Sequence, residues 1–398
     1  MFGPEGESNP DGVTIKPLQT ALNRVLGSKM LKEFRIQNFR GLEEVTLRDL
    51  GRINLIGGKN GSGKTSVLEA LWMFAAPGRP DIAYRVTGFR GLNAATGATV
   101  FRDLFNQFDP EKRIELSGLG YSASDADKLA VSLREHNRRL EPFGSGSAQN
   151  VAARSEYSQA LSSYEIVFDF LTTDGTKHSS TGIWAQETQV SVPAQTMEVK
   201  RGIHVESTED IEVMPASFSL PKGRQPQAQI ASNFGAFQLD RQEANVLEFV
   251  QAIGPRVMSL VPVTLEGEVI LHAEIEDQKG LYPVNLLGEG AFRILEFATS
   301  IAQIDGGQYM IDEIENGLHY TVLVNVFERL YELASHHNVQ VFATTHSWEC
   351  VKAAHDALGP VGGKFNYHRI GRRDGKARAV SYDEDMLSTA FKVGWEIR

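Results

Sequence analysis

The run Gly58-Lys59-Asn60-Gly61-Ser62-Gly63-Lys64-Thr65 satisfies GxxxxGK[ST] at every fixed position. Each fixed position has a physical reason. Glycines let successive backbone N–H groups turn inward around phosphate oxygens, the lysine reaches the β- and γ-phosphates, and the threonine hydroxyl is a hard ligand for Mg2+. The helix that follows aims its positive end at the anion. Asn60, Gly61, Ser62, Gly63, Lys64, Thr65 and Ser66 are therefore the expected nucleotide-binding residues. The motif requires a buried strand before it and a helix after it. Ile53-Asn54-Leu55-Ile56 supplies the first pattern, and a helix from about Lys64 to Phe74 the second.

A second chemical feature is Asp312-Glu313, directly after the apolar strand Tyr309-Met310-Ile311. Adjacent carboxylates at a buried strand end are costly unless a cation or a water uses them. The expected division gives Asp312, with Thr65, to the Mg2+ ion. Glu313 then orients or deprotonates an attacking water, and Glu315 is a third carboxylate able to share that role. His346 closes another apolar strand, Val339 to Thr344, where an imidazole can hydrogen-bond phosphate near neutral pH. The guanine-reading Asn-Lys-x-Asp is absent, which favours adenine.

Composition bounds the rest. The chain has 398 residues and a net charge of −10, from 40 basic and 50 acidic side chains. That balance argues against a general nucleic-acid coat and leaves room for a local basic patch. The lone cysteine, Cys350, excludes an intrachain disulfide and a cysteine zinc cluster, and points to a reducing, cytoplasmic compartment. No apolar run approaches the roughly 20 residues that a membrane helix needs.

The elements that position these residues follow from periodicity. Residues 1–29 read as a flexible extension, with a short helical stretch around Leu18 to Leu26. From Leu31 the pattern is β, through Phe34, Ile36, Val45 and Leu47. A strand is expected at Arg113 to Leu116, a helix at Asp127 to Leu140, and a flexible link at Gly144 to Ser147. A hairpin follows, from Tyr164 to Trp184 around Asp174-Gly175. Pro221 to Gly235 reads as loop and Arg241 to Ile253 as an amphipathic helix. The last third alternates helix and strand: helix Ala291 to Ile304, strand Tyr309 to Ile311, helix Tyr320 to Ser335, strand Val339 to Thr344, helix Trp348 to Leu358. A terminal hairpin turns at Asp374-Gly375. This order predicts an α/β fold built on a mainly parallel sheet. The separation of Lys64 from Asp312 exceeds what one sheet needs. The nucleotide core is therefore expected over 30–76 and 266–398, split by an α+β insertion over 77–265 that serves as a lid or a partner-binding part.

Five segments occur in order: Asn38-Phe39-Arg40-Gly41, the phosphate loop, Leu287-Gly288-Glu289-Gly290, Ile311-Asp312-Glu313-Ile314-Glu315-Asn316-Gly317-Leu318-His319 and Thr344-Thr345-His346-Ser347. Together they resemble the ABC-type ATPases of the RecF, SMC and OLD group. The likeness is strongest to stand-alone AAA family ATPases with an OLD-like domain and no Toprim nuclease domain. The resemblance implies a P-loop fold with an added antiparallel β part. It implies ATP and Mg2+ as cofactors, and two ATP molecules held between two subunits of a homo-dimer or higher oligomer. It assigns Arg40 a nucleotide contact and Gly288 and Gly290 the signature that closes over the partner's γ-phosphate. It makes Glu313 and His346 the catalytic pair, and places Asn316 and His319 at the dimer seam. The signature departs from Leu-Ser-Gly-Gly-Gln: Gly288 removes a hydroxyl and Glu289 adds negative charge.

Other patterns are weak. Asp383-Glu384-Asp385 reads as a cap on a final short helix. Asp277-Gln278-Lys279 and His136-Asn137 do not complete a nuclease site. Basic residues at Lys128 to Arg139, Lys200-Arg201, and Lys222 with Arg224 are either a solvated face or a DNA contact. The expected function is an ATP-gated dimerising switch in phage defence or DNA repair. Its closure would be read by DNA or by a separate effector such as a nuclease, away from any membrane. The alternative is a nucleotide-stabilised scaffold with negligible turnover.

Overall fold

The computed structural model describes residues 30–91, 99–120, 125–136, 163–191, 196–207, 213–221, 226–239, 241–254, 256–359 and 365–394. The expected extension 1–29, the link at Gly144 to Ser147, Arg138, Arg139, Lys222 and Arg224 lie outside these residues.

The nucleotide core is a six-stranded sheet in the order β16-β15-β3-β14-β13-β9. Its members are β3 (Ile53–Gly57), β9 (Ala216–Ser219), β13 (Gln308–Ile311), β14 (Gln340–Thr344), β15 (Phe365–Arg373) and β16 (Lys376–Tyr382). All neighbours run parallel except the β15–β16 hairpin. Every residue of β3, β13 and β14 is buried, as expected of parallel strands covered on both faces. Alternation sends their side chains to two cores. Ile53, Leu55, Tyr309, Ile311, Val341 and Ala343 join one. Ile56, Met310 and Phe342 join the other.

The first core is covered by α3 (Gln227–Leu239), α4 (Glu243–Gln251), α5 (Glu289–Gln303), α6 (Leu323–His336) and α7 (Trp348–Leu358). The second lies between the parallel sheet and an antiparallel sheet in the order β2-β1-β4-β5-β6-β7-β8. That sheet comprises β1 (Leu31–Phe39), β2 (Leu42–Leu47), β4 (Ile114–Gly120), β5 (Ala126–His136), β6 (Ser163–Leu171), β7 (Lys177–Ser191) and β8 (Thr196–Ser207). Helix α1 (Lys64–Ala75) fills the space between the two sheets and touches strands of both. It is followed by α2 (Asp81–Phe89), and the last helix is α8 (Glu384–Lys392), capped by Asp383 as expected. A small sheet of β10 (Val257–Leu265), β11 (Glu268–Ile275) and β12 (Leu281–Pro283) leads into α5.

A buried amide joins the two sheets. Gln340, at the start of β14, accepts from Leu31 N–H at 2.9 Å and donates to the Leu31 and Gly51 carbonyls at 2.8 and 2.9 Å. These bonds satisfy backbone groups that have no water to turn to.

Four expectations change. The helix expected at Asp127 to Leu140 is instead strand β5 over Ala126–His136. Leu129 and Val131 are buried two residues apart, so the period is two, and Lys128 and Arg134 lie on the other face. Pro221 to Gly235 is not all loop. Helix α3 starts at Gln227 behind Pro226, a residue tolerated at helix starts, and buries Ile230, Phe234 and Phe237 at spacings of four and three. The signature helix begins at Glu289, earlier than Ala291, with its acid in the first turn where the helix dipole favours it. The segment 77–265 also does not stand outside the core: β4 pairs with β1, and β9 pairs with β13.

His368 on β15 is fully buried. Its Nδ1 lies 2.9 Å from Ser381 Oγ, and its Nε2 has no partner among the described residues. Burial lowers its pKa to about 3 from the usual 6.5. The unfolded chain takes up this proton below about pH 6.5 and the folded one only near 3, so stability falls as pH drops through that window. We expect the urea midpoint to decline over this range, with the imidazole contributing at most about 1.4 kcal/mol per pH unit. His368→Gln should flatten that part of the decline, and an unchanged profile would remove His368 as its source.

Candidate nucleotide site

The phosphate loop joins β3 to α1. Gly58 has φ of 137°, and a Cβ there would lie 2.2 Å from the Ile370 carbonyl oxygen. Gly63 caps α1 at φ 106°, and a Cβ there would strike Leu42. Only glycine fits either position. No side chain caps α1, so the N–H groups of its first turn remain available to an anion. The buried Ser62 hydroxyl at this loop has no partner among the described residues, as expected of a group that a phosphate oxygen would satisfy. Lys64 Nζ donates to the Gly58 carbonyl at 2.9 Å. Burial lowers the pKa of its ammonium, and the fields of Asp312, Glu313 and Glu315 oppose that shift.

The structure brings Asp312 to this loop. Thr65 Oγ1 lies 3.0 Å from both carboxylate oxygens of Asp312. A hydroxyl and a carboxylate beside a phosphate loop form the hard, partial ligand set that Mg2+ takes when substrate phosphates complete its shell. The Thr344 hydroxyl, from the neighbouring strand end, donates to Asp312 Oδ1 at 2.5 Å and accepts from Glu313 N–H at 2.8 Å. Glu313 itself is left-handed at φ 49°, an uncommon conformation outside glycine, Asn and Asp. It turns the chain sharply between the two carboxylates.

Behind Asp312 lies a buried arginine. Arg293 on α5 donates to the Asp312 carbonyl at 2.8 Å and to the Leu220 carbonyl at 2.7 Å, and pairs with Glu296 at 3.4 Å. Glu296 also accepts from Ser219 Oγ. Burial pushes the Glu296 carboxyl up, while Ser219 and Arg293 pull it down. One side chain thus ties the signature helix to the ends of β13 and β9.

Gly288 and Gly290 are not part of this cluster. Gly288 caps α5 at φ 99°, and Gly290 packs against Gly317 and Leu318. The signature therefore sits by the loop that follows Asp312, where Asn316 Nδ2 donates to the Pro221 carbonyl at 2.8 Å. His346 is half-exposed. Its Nδ1 lies 3.1 Å from Glu315 Oε1, which also accepts its backbone N–H at 2.9 Å.

Arg40 is drawn away from solvent. Its Nε lies 3.2 Å from Glu69 and its Nη2 3.5 Å from Asp103. Arg90 forks onto the same Glu69 carboxylate at 3.0 and 3.1 Å and reaches Ser66 Oγ at 3.4 Å. Glu69 is wholly buried on α1, one turn after Thr65; burial raises its pKa and the two arginines oppose that.

Arg293, Glu69, Arg90 and the hydroxyl of Thr344 carry no role in the sequence reading. The available signals are a Glu inside the apolar run of α1 and an Arg–Glu pair three apart in the apolar α5.

The family model described as "AAA domain, putative AbiEii toxin, Type IV TA system" matches residues 53–350. A Helicobacter pylori protein named ATP/GTP phosphatase is 18% identical over 340 residues, 81% of this chain and 87% of that protein. The DNA replication and repair protein RecF of Idiomarina loihiensis is 41% identical over 73 residues, 18% of this chain and 20% of its own length. The chain spans about a fifth of two of the curated relatives it matches. A crystal structure of an SmcHead bound to the C-winged helix domain of ScpA superposes with a TM-score of 0.47 and 13% identity, over 91% of this chain and 99% of that one.

Thr344→Val removes both hydroxyl bonds while keeping the shape of the side chain. Outer-shell partners of metal ligands typically contribute 10–100-fold, so we expect about that loss in Mg2+ affinity, measured by calorimetry in the presence of ATP. Wild-type affinity in the variant would exclude this role for Thr344.

Proposed function

The chain belongs to the AAA-domain family whose model matches residues 53–350, and from that premise we propose that it binds and hydrolyses ATP as a dimerising switch. The observation that carries the reading is the 3.0 Å approach of Thr65 Oγ1 to the Asp312 carboxylate beside Lys64. In this reading the α1 N-terminus and Lys64 grip the triphosphate, and Thr65 and Asp312 hold Mg2+. The bound ion would neutralise charge on the β- and γ-phosphates. Glu313 accepts the proton of the attacking water, and His346, oriented by Glu315, hydrogen-bonds the terminal phosphate.

Connectivity supports the switch. Arg293 links α5 to the Asp312 carbonyl, so a shift of the signature helix on closure moves the metal-binding strand end. Gly288 and Gly290, on that helix terminus, face the nucleotide of a second copy. In this reading strands β5–β8, which form one end of the antiparallel sheet, meet a partner. The RecF relatives carry DNA replication and repair in their name, which favours DNA as what reads the closed state; a separate nuclease is the alternative reader. Among the described residues no helix is long and apolar enough to cross a membrane.

The scaffold alternative has its own support in Glu289, whose side chain packs on Gly317 beside the expected γ-phosphate seam and would weaken closure. Two variants separate the readings. Lys64→Ala should abolish ATP binding. Glu313→Gln should lower phosphate release by about 100-fold or more, within the range general-base catalysis supplies, and accumulate an ATP-bound dimer in size-exclusion chromatography. A Glu313→Gln chain that releases phosphate at the wild-type rate would remove Glu313 from the reaction. A wild-type chain with no turnover, alone or with DNA, would establish the scaffold.

A further inference from the structure

The C-terminal hairpin carries four cations in register. β15 and β16 pair Arg373 with Lys376, Gly371 with Arg378 and Arg369 with Val380. Directly opposed residues of an antiparallel ribbon project to the same side, as do residues two apart on one strand. Arg369, Arg373, Lys376 and Arg378 therefore share one face. The opposite face carries Ile370 and Ala377, both buried in the core beneath the antiparallel sheet. On the outer face Arg373, Lys376 and Arg378 are exposed and Arg369 is half-buried. Lys376 pairs with Glu43 at 3.1 Å, and Asp374 sits in the turn. Arg373 and Arg378 have no carboxylate partner among the described residues.

This concentration runs against a net charge of −10 for the chain. It also differs from the basic segments singled out by sequence, of which Arg134 lies opposite Glu165 in the β5–β6 ladder. The face is open at its centre, since nothing lies within 4 Å of where a Gly371 Cβ would be.

We propose that this face docks the phosphate backbone of double-stranded nucleic acid. Arg373 and Lys376 oppose each other across the ribbon at about 5 Å, Arg378 follows Lys376 at about 6.6 Å along β16, and Arg369 lies about 13 Å from Arg373 along β15, which gives separated charges rather than a single pocket. A chain of singly charged groups fits that spread better than one multiply charged headgroup. Three of the four cations are arginines, whose forked donors engage phosphate oxygens in pairs. Among the described residues Val380 is the only exposed large hydrophobic of the face, too little to anchor a protein partner or to enter a bilayer. The ribbon also adjoins the nucleotide site. Arg369 is in register with Gly57, and the Ile370 carbonyl fills the space that Gly58 leaves. The ribbon and the phosphate loop thus meet along one backbone segment.

The test is fluorescence anisotropy of a labelled DNA duplex with the full chain, over a series of KCl concentrations. Arg373→Ala/Arg378→Ala should weaken binding equally for unrelated duplex sequences. It should also make the slope of log K against log salt shallower by about 1.8, or about 0.9 for each phosphate no longer neutralised. Arg373→Glu/Arg378→Glu should abolish binding, with ATP binding retained in both variants as the check on folding. Lys64→Ala should leave duplex binding in place, so failure of the ATP-gated reading and failure of this surface are distinguishable. Unchanged affinity and salt slope in the double alanine variant would overturn the proposal. So would a wild-type chain that binds polyglutamate or vesicles of anionic phospholipid but no duplex.

Discussion

The Asp312 carboxylate and the Thr65 hydroxyl meet at 3.0 Å although 247 residues separate them. Neither residue alone can fix that distance. Thr65 is placed by α1, which lies buried between two sheets and starts at a glycine against which Leu42 leaves no room for a side chain. Asp312 is placed by β13, a strand buried on both faces, and by three hydrogen bonds around its backbone and side chain. They come from Arg293, Thr344 and its own N–H to the Ser219 carbonyl. An ionisable carboxyl at a buried strand end persists only where such bonds compensate for lost water. The architecture on either side of α1 can be understood as the support for this one contact.

The same support creates directional coupling. Arg293 is buried and charged, and its polar neighbours are the Asp312 carbonyl after β13, the Leu220 carbonyl after β9, and Glu296 on its own helix, itself bound to Ser219. A buried guanidinium loses much if one of its acceptors departs. Displacement of α5 therefore strains the hydrogen bond that Arg293 makes to the Asp312 carbonyl. Arg40, Arg90 and Glu69 form a comparable cluster against the other side of α1. The phosphate-loop helix is thus held by charge at its flank as well as by apolar packing.

How much of this is legible in the sequence depends on distance along the chain. The phosphate loop is eight consecutive residues, and its chemistry is local. The strands carrying Asp312 and His346 are legible because parallel strands covered on both faces read as unbroken apolar runs. β5 is not, since its charged residues suggest a helical stripe although Leu129 and Val131 already alternate. α3 is hidden by a glutamine- and alanine-rich composition with Gly235 inside it. Arg293 and Thr344 are ordinary residues until their partners, far away in sequence, arrive beside them. The cationic ribbon belongs to the same class. Its residues are visible in the sequence, and only the pairing register shows that four of them share a face.

The central claim is that Thr65 and Asp312 jointly hold one divalent ion against a triphosphate gripped by Lys64. Electron paramagnetic resonance of Mn2+ titrated into the full chain with a non-hydrolysable ATP analogue reports this most directly. The account predicts a single bound Mn2+ showing phosphorus coupling, whose affinity falls steeply in Asp312→Asn and in Thr65→Val. The two losses should also be less than additive when the changes are combined, because they remove ligands of one ion. Unchanged Mn2+ affinity in both single variants would contradict it.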